Sequence, residues 1–172
     1  MFLSCSACVP VVLLFCFAGA VHTLDLLSRA RRQRPMCIRV SLKPEQTVPP
    51  VLAQLNFPEK WKIVLVMDPN HQGIHGSAEL QAFKQLPVFP QENARIISHM
   101  TLMQLLPALI EQSCDVFGKA VTDIQALIGD HFAQAQGGRY TSKRVEACLL
   151  QAQKWGHTGI AQSSWGPTGC IL

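Results

Sequence analysis

The densest run of chemically useful residues lies near the C-terminus: Gly159-Ile160-Ala161-Gln162-Ser163-Ser164-Trp165-Gly166-Pro167-Thr168-Gly169. Small residues and hydroxyls build no core. They let a backbone pass close to a ligand, and successive N–H groups in turn conformation form a concavity that attracts anions. The run therefore suits a phosphorylated or otherwise anionic small molecule. A tight strand-to-strand turn without a ligand is the plainer alternative. A second set, Asp130, His131, Gln136, Gly137, Gly138 and Arg139, combines an acid, an imidazole and a guanidinium. Arg grips carboxylate or phosphate through a two-pronged fork, so this set also fits an anionic substrate. The binding residues read from these two stretches are Gln136, Gly137, Gly138, Arg139, Gln162, Ser163, Ser164, Trp165, Gly166 and Thr168.

Other candidates are weaker. His71 and His75 share a loop with Asp68, and Glu79 follows, but a metal site wants its ligands on a preformed face with braced second partners. A solvated loop is the better reading, and no metal ligand is assigned. Asp123 and Gln125 fall inside a helical pattern, where Asp123 is either a ligand-facing acceptor or part of a solvated face. Ser163 and Ser164 lack the His and Asp of a nucleophile elbow, which argues against a hydrolase triad. No residue is assigned a catalytic role on sequence grounds.

These residues must be carried by a modest chain. At 172 residues one domain is expected, and charged residues make up 15%, below the usual quarter. The net charge of +4 owes much to Arg29, Arg31, Arg32, Arg34 and Arg39. A nucleic-acid partner asks for a basic face interleaved with aromatics, which is missing, so none is expected. Cys5 and Cys8 have metal or redox spacing without a second pair, whereas Cys114 and Cys148 read as small hydrophobes on helices. A reduced, cytoplasmic setting fits Cys114, Cys148 and Cys170. Residues 9–21 form an apolar run of signal-peptide length ending in a small-residue site, but no Lys or Arg precedes it. A secreted or tethered module is therefore an alternative. The run is short for a membrane span, and an aberrant start is the preferred account of residues 1–42. The Arg-rich residues 28–40 read as a linker or a disordered arm.

Order is expected from residue 43 onward. Lys43-Pro44 and Val48-Pro49-Pro50 favour extended chain, and residues 51–55 suggest a turn of helix. Residues 61–67 read as a buried or half-buried strand, and residues 68–77 as a polar loop. A short helix follows through Leu86. Residues 92–112 form an amphipathic helix that Pro107 should kink or break. A further helix runs to Ile128, and residues 129–140 read as a Gly-rich loop. Ser142 caps the next helix, on which Val145, Cys148, Leu149 and Ala152 should face inward; Gly156 ends it. Two strands, around residues 158–162 and 169–172, would flank the tail turn. The pattern predicts an α+β fold with helices over a small antiparallel sheet.

The tail run closely resembles a signature of the beta-ribofuranosylaminobenzene 5'-phosphate synthase family, within the galactokinase, homoserine kinase, mevalonate kinase and phosphomevalonate kinase (GHMP) superfamily. Phe57-Pro58-Glu59-Lys60-Trp61, Gly73-Ile74-His75-Gly76 with Glu79 and Phe83, Leu106-Pro107-Ala108-Leu109, Phe117-Gly118, Ile124-Gln125 and Gln136-Gly137-Gly138 agree in order. The resemblance covers residues 43–172 and implies a truncated GHMP-like C-terminal domain. It further implies a transferase of the tetrahydromethanopterin pathway that condenses phosphoribosyl pyrophosphate with 4-aminobenzoate or 4-hydroxybenzoate, releasing pyrophosphate and CO2. It implies Mg2+ as cofactor and the Ser163–Gly166 turn beside the phosphates. The family's N-terminal Gly/Ser phosphate loop has no counterpart in residues 1–42, so the chain reads as a fragment. Uncovered apolar surface, and with it a homo-oligomer, is then expected. An ATP-using kinase of the same superfamily is the alternative enzyme.

Overall fold

The computed structural model describes residues 35–39 and 51–172. The chain divides into two units, Met1–Lys60 and Trp61–Leu172. In the first, β1 (Pro35–Arg39) and β2 (Val51–Asn56) pair antiparallel, Pro35 opposite Asn56, with an irregularity between Ile38 and Arg39. Two sequence readings are corrected here. Residues 51–55 are strand rather than helical turn, because they pair antiparallel with β1, which supplies the backbone partners a strand requires. Pro35–Arg39 is strand rather than linker, because it has β2 to pair with. The remaining expectations for residues 1–34 and 40–50 lie outside the described residues.

The second unit holds β3 (Val64–Val66), α1 (Ser77–Gln85), α2 (Gln91–Met100), a π-helical segment (Thr101–Leu105), α3 (Leu106–Ile110), α4 (Cys114–Gln136), α5 (Lys143–Lys154), β4 (Ile160–Gln162) and β5 (Gly169–Ile171). The sheet has the order β3-β5-β4 and is antiparallel throughout, with Cys170 facing Leu65 on one side and Ala161 on the other. Tyr140, Val145, Leu149 and Ile160 form a buried cluster against which Val66 and Ile171 pack, so α5 closes one face of the sheet. Leu105, Ala108, Leu109, Phe117, Ala120 and Ile124 are buried between α4 and the α2–α3 rod. The α+β expectation, helices over a small antiparallel sheet, holds. No helix among the described residues is long and apolar enough to cross a membrane.

Three local expectations differ from the structure, and a fourth, at Pro107, takes a specific form. The strand predicted over 61–67 shortens to Val64–Val66, and Val64 and Leu65 are exposed, because β3 is an edge strand paired on one side. Cys148 is exposed rather than inward, lying one step off the Val145–Leu149–Ala152 face that the sheet covers. At Pro107 the backbone stays helical, but the α-helical hydrogen bonding is interrupted just before it. The adjustment comes one turn earlier: the Leu106 N–H donates to the Thr101 carbonyl, a wider turn that accommodates the proline ring and its missing donor. Finally, α4 does not stop at Ile128. It runs on to Gln136, and residues 129–136 are helix rather than loop. Gly129 reads as a breaker but is needed for packing, since a Cβ there would lie 2.7 Å from both Cγ and the carbonyl oxygen of Arg139.

Candidate functional site

A cleft of about 450 Å³ opens between the loop after β3 and the turn joining β4 to β5. His71, Gln72, Gly73, Ile74, His75 and Glu79 line one side; Ser164, Trp165, Gly166 and Pro167 line the other. The two sides touch at Gly73. A side chain there would run into the Gly166 carbonyl oxygen and approach the Trp165 carbonyl oxygen to 2.7 Å.

The turn is held by its own backbone and by its neighbours. Ser163 N–H donates to the Thr168 carbonyl at 2.9 Å and Gly166 N–H to the Ser163 carbonyl at 2.8 Å. Ser164 sits at φ +48 and the Gly166–Pro167 peptide is cis. The Thr141 hydroxyl lies 2.8 Å from the Trp165 carbonyl and 3.2 Å from Gln136 Oε1. Gln162 gathers four partners. Its N–H donates to Gln125 Oε1, its Oε1 accepts from Thr141 N–H, and its Nε2 reaches the Ser164 carbonyl and Gln136 Oε1. The Trp165 indole, 7% exposed, packs edge-on to Phe132 at 4.8 Å and Phe83 at 5.4 Å, and its Nε1–H donates to Glu79 Oε1 at 3.0 Å.

The opposite loop is anchored at its start. Asp68 accepts from the Ser142 hydroxyl at 2.7 Å and from Asn70 N–H at 3.1 Å. These donors hold its carboxyl below the usual carboxylate range. Ser142 also accepts from Val145 N–H at 3.3 Å, so one hydroxyl caps α5 and pins the loop. Further along, His75 Nδ1 lies 2.9 Å from the Gly73 carbonyl.

Of the residues singled out from sequence, Ser164, Trp165 and Gly166 line the cleft. Gln136 and Gln162 brace the turn from behind, and Ser163 and Thr168 close it by pairing with each other. Gly137, at φ +82, ends α4, and Gly138 follows at φ +153. Arg139 is not among the cleft residues. Its guanidinium makes two hydrogen bonds to Asp130, at 2.7 and 2.8 Å, and that pairing holds its pKa above the usual value. Asp123 pairs with Lys119 on the exposed side of α4. His131 lies between Phe89 and Phe132, and burial lowers its pKa. Among the described residues, no Lys or Arg lines the cleft. Among the described residues, no group of three or more His, Cys, Asp or Glu is placed to hold a metal ion.

The sequence reading assigned no binding role to Gly73, Glu79 or Thr141. Glu79 carries a signal in principle, as a lone carboxylate on the face of a short helix that also bears Phe83. Gly73 and Thr141 act through contacts far away in the chain, which local spacing does not show.

No protein-family model matches the chain. Against curated proteins, it is 36% identical over 119 residues to the beta-ribofuranosylphenol 5'-phosphate synthase of Archaeoglobus fulgidus, covering 69% of this chain and 34% of that protein. The chain is similar to part of a synthase. The proteins of the same name from Methanothermobacter thermautotrophicus and Methanocaldococcus jannaschii are each 28% identical, over 69% and 78% of this chain and 35% and 37% of theirs. The chain thus spans about a third of the length of the curated relatives it matches.

Proposed function

We propose that this chain carries part of the substrate site of a ribofuranosylphenol 5'-phosphate synthase, and that its cleft receives the aromatic acid. The similarity to the Archaeoglobus fulgidus protein carries the reading. That relative's name specifies a phenol joined to ribose 5-phosphate, which favours 4-hydroxybenzoate over 4-aminobenzoate as acceptor and phosphoribosyl pyrophosphate as donor.

In this reaction the ring carbon bearing the carboxylate bonds to the anomeric carbon. Pyrophosphate leaves with the electron pair of the broken C–O bond. CO2 then departs, and the electrons of its C–C bond restore the ring's aromaticity. The chain's share is positioning. Ile74, Pro167 and the edge of Trp165 offer apolar surface to a planar ring, while His71, His75 and Ser164 offer polar groups to its substituents. A pyrophosphate leaving group calls for strong cationic stabilisation. With no Lys or Arg in the cleft among the described residues and Arg139 engaged by Asp130, the donor's phosphates are better held by groups outside it. Mg2+, which the resemblance implies, finds no three-ligand cluster among the described residues. Mg2+ at a phosphate site is usually held by one or two carboxylates together with the substrate's phosphates, so an ion brought in with the donor would not need such a cluster.

The test is incubation of the protein with phosphoribosyl pyrophosphate and carboxyl-labelled 4-hydroxybenzoate. Equimolar labelled CO2 and pyrophosphate are expected. If the protein is inactive alone, saturable 4-hydroxybenzoate binding, read by ligand-detected NMR and weakened by Gly73→Ala, still supports the proposal. Turnover or binding of neither substrate defeats it, and ATP-dependent phosphorylation of an alcohol would replace it with the kinase reading.

A further inference from the structure

Glu79 brings a carboxylate to the cleft from the first turn of α1, where it is half-buried. Its Oε1 accepts from Trp165 Nε1–H at 3.0 Å. Phe83, one turn further along α1, packs edge-on to the same indole at 5.4 Å. Because that indole is buried, the two contacts fix where the carboxylate sits and occupy one of its oxygens. Among the described residues, no hydrogen bond or ion pair engages Oε2. Glu79 therefore offers the cleft an acceptor and a negative charge, and among the described residues no Lys or Arg there offsets them.

A carboxylate accepts hydrogen bonds, donates none, and disfavours a second negative charge beside it. A benzoate with a para substituent entering the cleft thus has a preferred direction. Its own carboxylate turns away from Glu79, and the substituent at the opposite end of the ring turns toward it. A hydroxyl or amine there can donate to Oε2, whereas a group without a proton cannot. We propose that Glu79 is the specificity-determining residue of this cleft: its Oε2 accepts from the para hydroxyl of the aromatic acid, selecting and orienting rings that carry a donor opposite the carboxylate. The proposal rests on the reading that the cleft receives the aromatic acid. The same contact serves the chemistry. A charge-assisted hydrogen bond leaves electron density on the phenol oxygen, and resonance delivers it to the para carbon, the one that bonds to the anomeric carbon. The proton stays shared between the two oxygens, so no further reactant is consumed.

The test measures binding of 4-hydroxybenzoate, 4-fluorobenzoate and terephthalate to the full chain by ligand-detected NMR. Fluorine is close to a hydroxyl in size but carries no proton, and terephthalate has a carboxylate at both ends. The parent should prefer 4-hydroxybenzoate to 4-fluorobenzoate by about tenfold or more and bind terephthalate most weakly. Glu79→Gln keeps an oxygen for the Trp165 N–H and turns an amide N–H group to the ring. Its preference for hydroxyl over fluorine should fall about tenfold, as a neutral group replaces a charged acceptor, and terephthalate should gain about tenfold in affinity. That gain is a readout that a merely structural lesion does not produce. Should thermal melting show that Glu79→Gln does not fold, the parent's ranking of the three ligands decides. A parent that binds the hydroxy and fluoro acids equally, or a folded Glu79→Gln that keeps the parent's ranking, overturns this assignment and leaves the functional reading standing. Failure of all three acids to bind overturns both.

Discussion

The two walls of the cleft are built differently. The turn of residues 163–168 is cross-linked from every side: by its own backbone, by Gln162 and Thr141, and by a tryptophan sunk among Glu79, Phe83 and Phe132. The loop of residues 69–76 is fixed where Asp68 meets Ser142 and where Gly73 rests on Gly166, and most of its side chains face solvent. One wall is a preset surface and the other an adaptable flap of polar groups. Ligand sites often divide shape and recognition in this way, with a rigid element setting the floor and a loop supplying the donors.

The contrast predicts where damage registers as lost stability and where as lost binding. The largest effect on stability should come from Trp165→Ala, which removes the indole from two aromatic contacts and leaves Glu79 without its donor. A loss of about 3–5 kcal/mol is expected, in the range for a buried aromatic. Urea unfolding measures it, and a loss under about 1 kcal/mol would show that the turn is not a packed wall. Gly73→Ala should divide the other way. A Cβ against the Gly166 carbonyl pushes the flap off the wall, at a stability cost of about 1–3 kcal/mol. Binding of 4-hydroxybenzoate should weaken by about tenfold or more, because the cleft's two sides no longer meet. Unchanged binding with unchanged stability would mean that the flap and wall do not act together.

The rigid wall was the more legible of the two from sequence. Its small residues flanked by strand patterns marked a turn, and Ser142 before an amphipathic run marked a helix cap that the structure retains. Hidden from the sequence was the agent of rigidity. Thr141, Gln136 and Glu79 reach the turn across large sequence separations, and their residue types suit a solvated surface equally well. Gly129 misled for a related reason: a residue that breaks helices locally was placed by tertiary contact with Arg139, so Phe132 sits on a helix against the tryptophan. Arg139, attractive as an anion clamp, already had a carboxylate nine residues earlier, at Asp130. Edge position in a sheet is likewise invisible to periodicity, which is why β3 reads as buried or half-buried.

A smaller effect sharpens the comparison at the flap's anchor. Ser142→Ala removes both the α5 cap and the main donor to Asp68. The cap loss alone should cost about 1 kcal/mol. The pH dependence gives the loop's share. Because Asp68 has a lowered pKa in the folded protein, its contribution is complete above the ordinary carboxylate pKa and disappears as pH falls through the lowered value. In Ser142→Ala the Asp68 carboxyl resonance should titrate at higher pH than in the parent. An unmoved titration would mean that Asn70 N–H and the nearby Arg144 hold the carboxylate without the serine.

The smallest effect tests the wall's far side. His131 is tucked between Phe89 and Phe132, and Phe132 in turn packs on Trp165. Burial disfavours the imidazolium, so the folded pKa lies below that of the unfolded chain. The sign follows from proton counting. Above the unfolded value, near 6.5, both states are neutral and pH has no effect. As pH falls below it, the unfolded chain takes up its proton first, and stability declines until the folded pKa is passed. Thermal melts between pH 8 and 5 should therefore show a shallow acid-side loss that His131→Phe removes. Because the aromatic cluster links this helix to the turn, the loss should come with a change in Trp165 fluorescence over the same pH range. An acid-side loss that persists in His131→Phe would place its cause elsewhere and leave the wall as rigid in acid as at neutral pH.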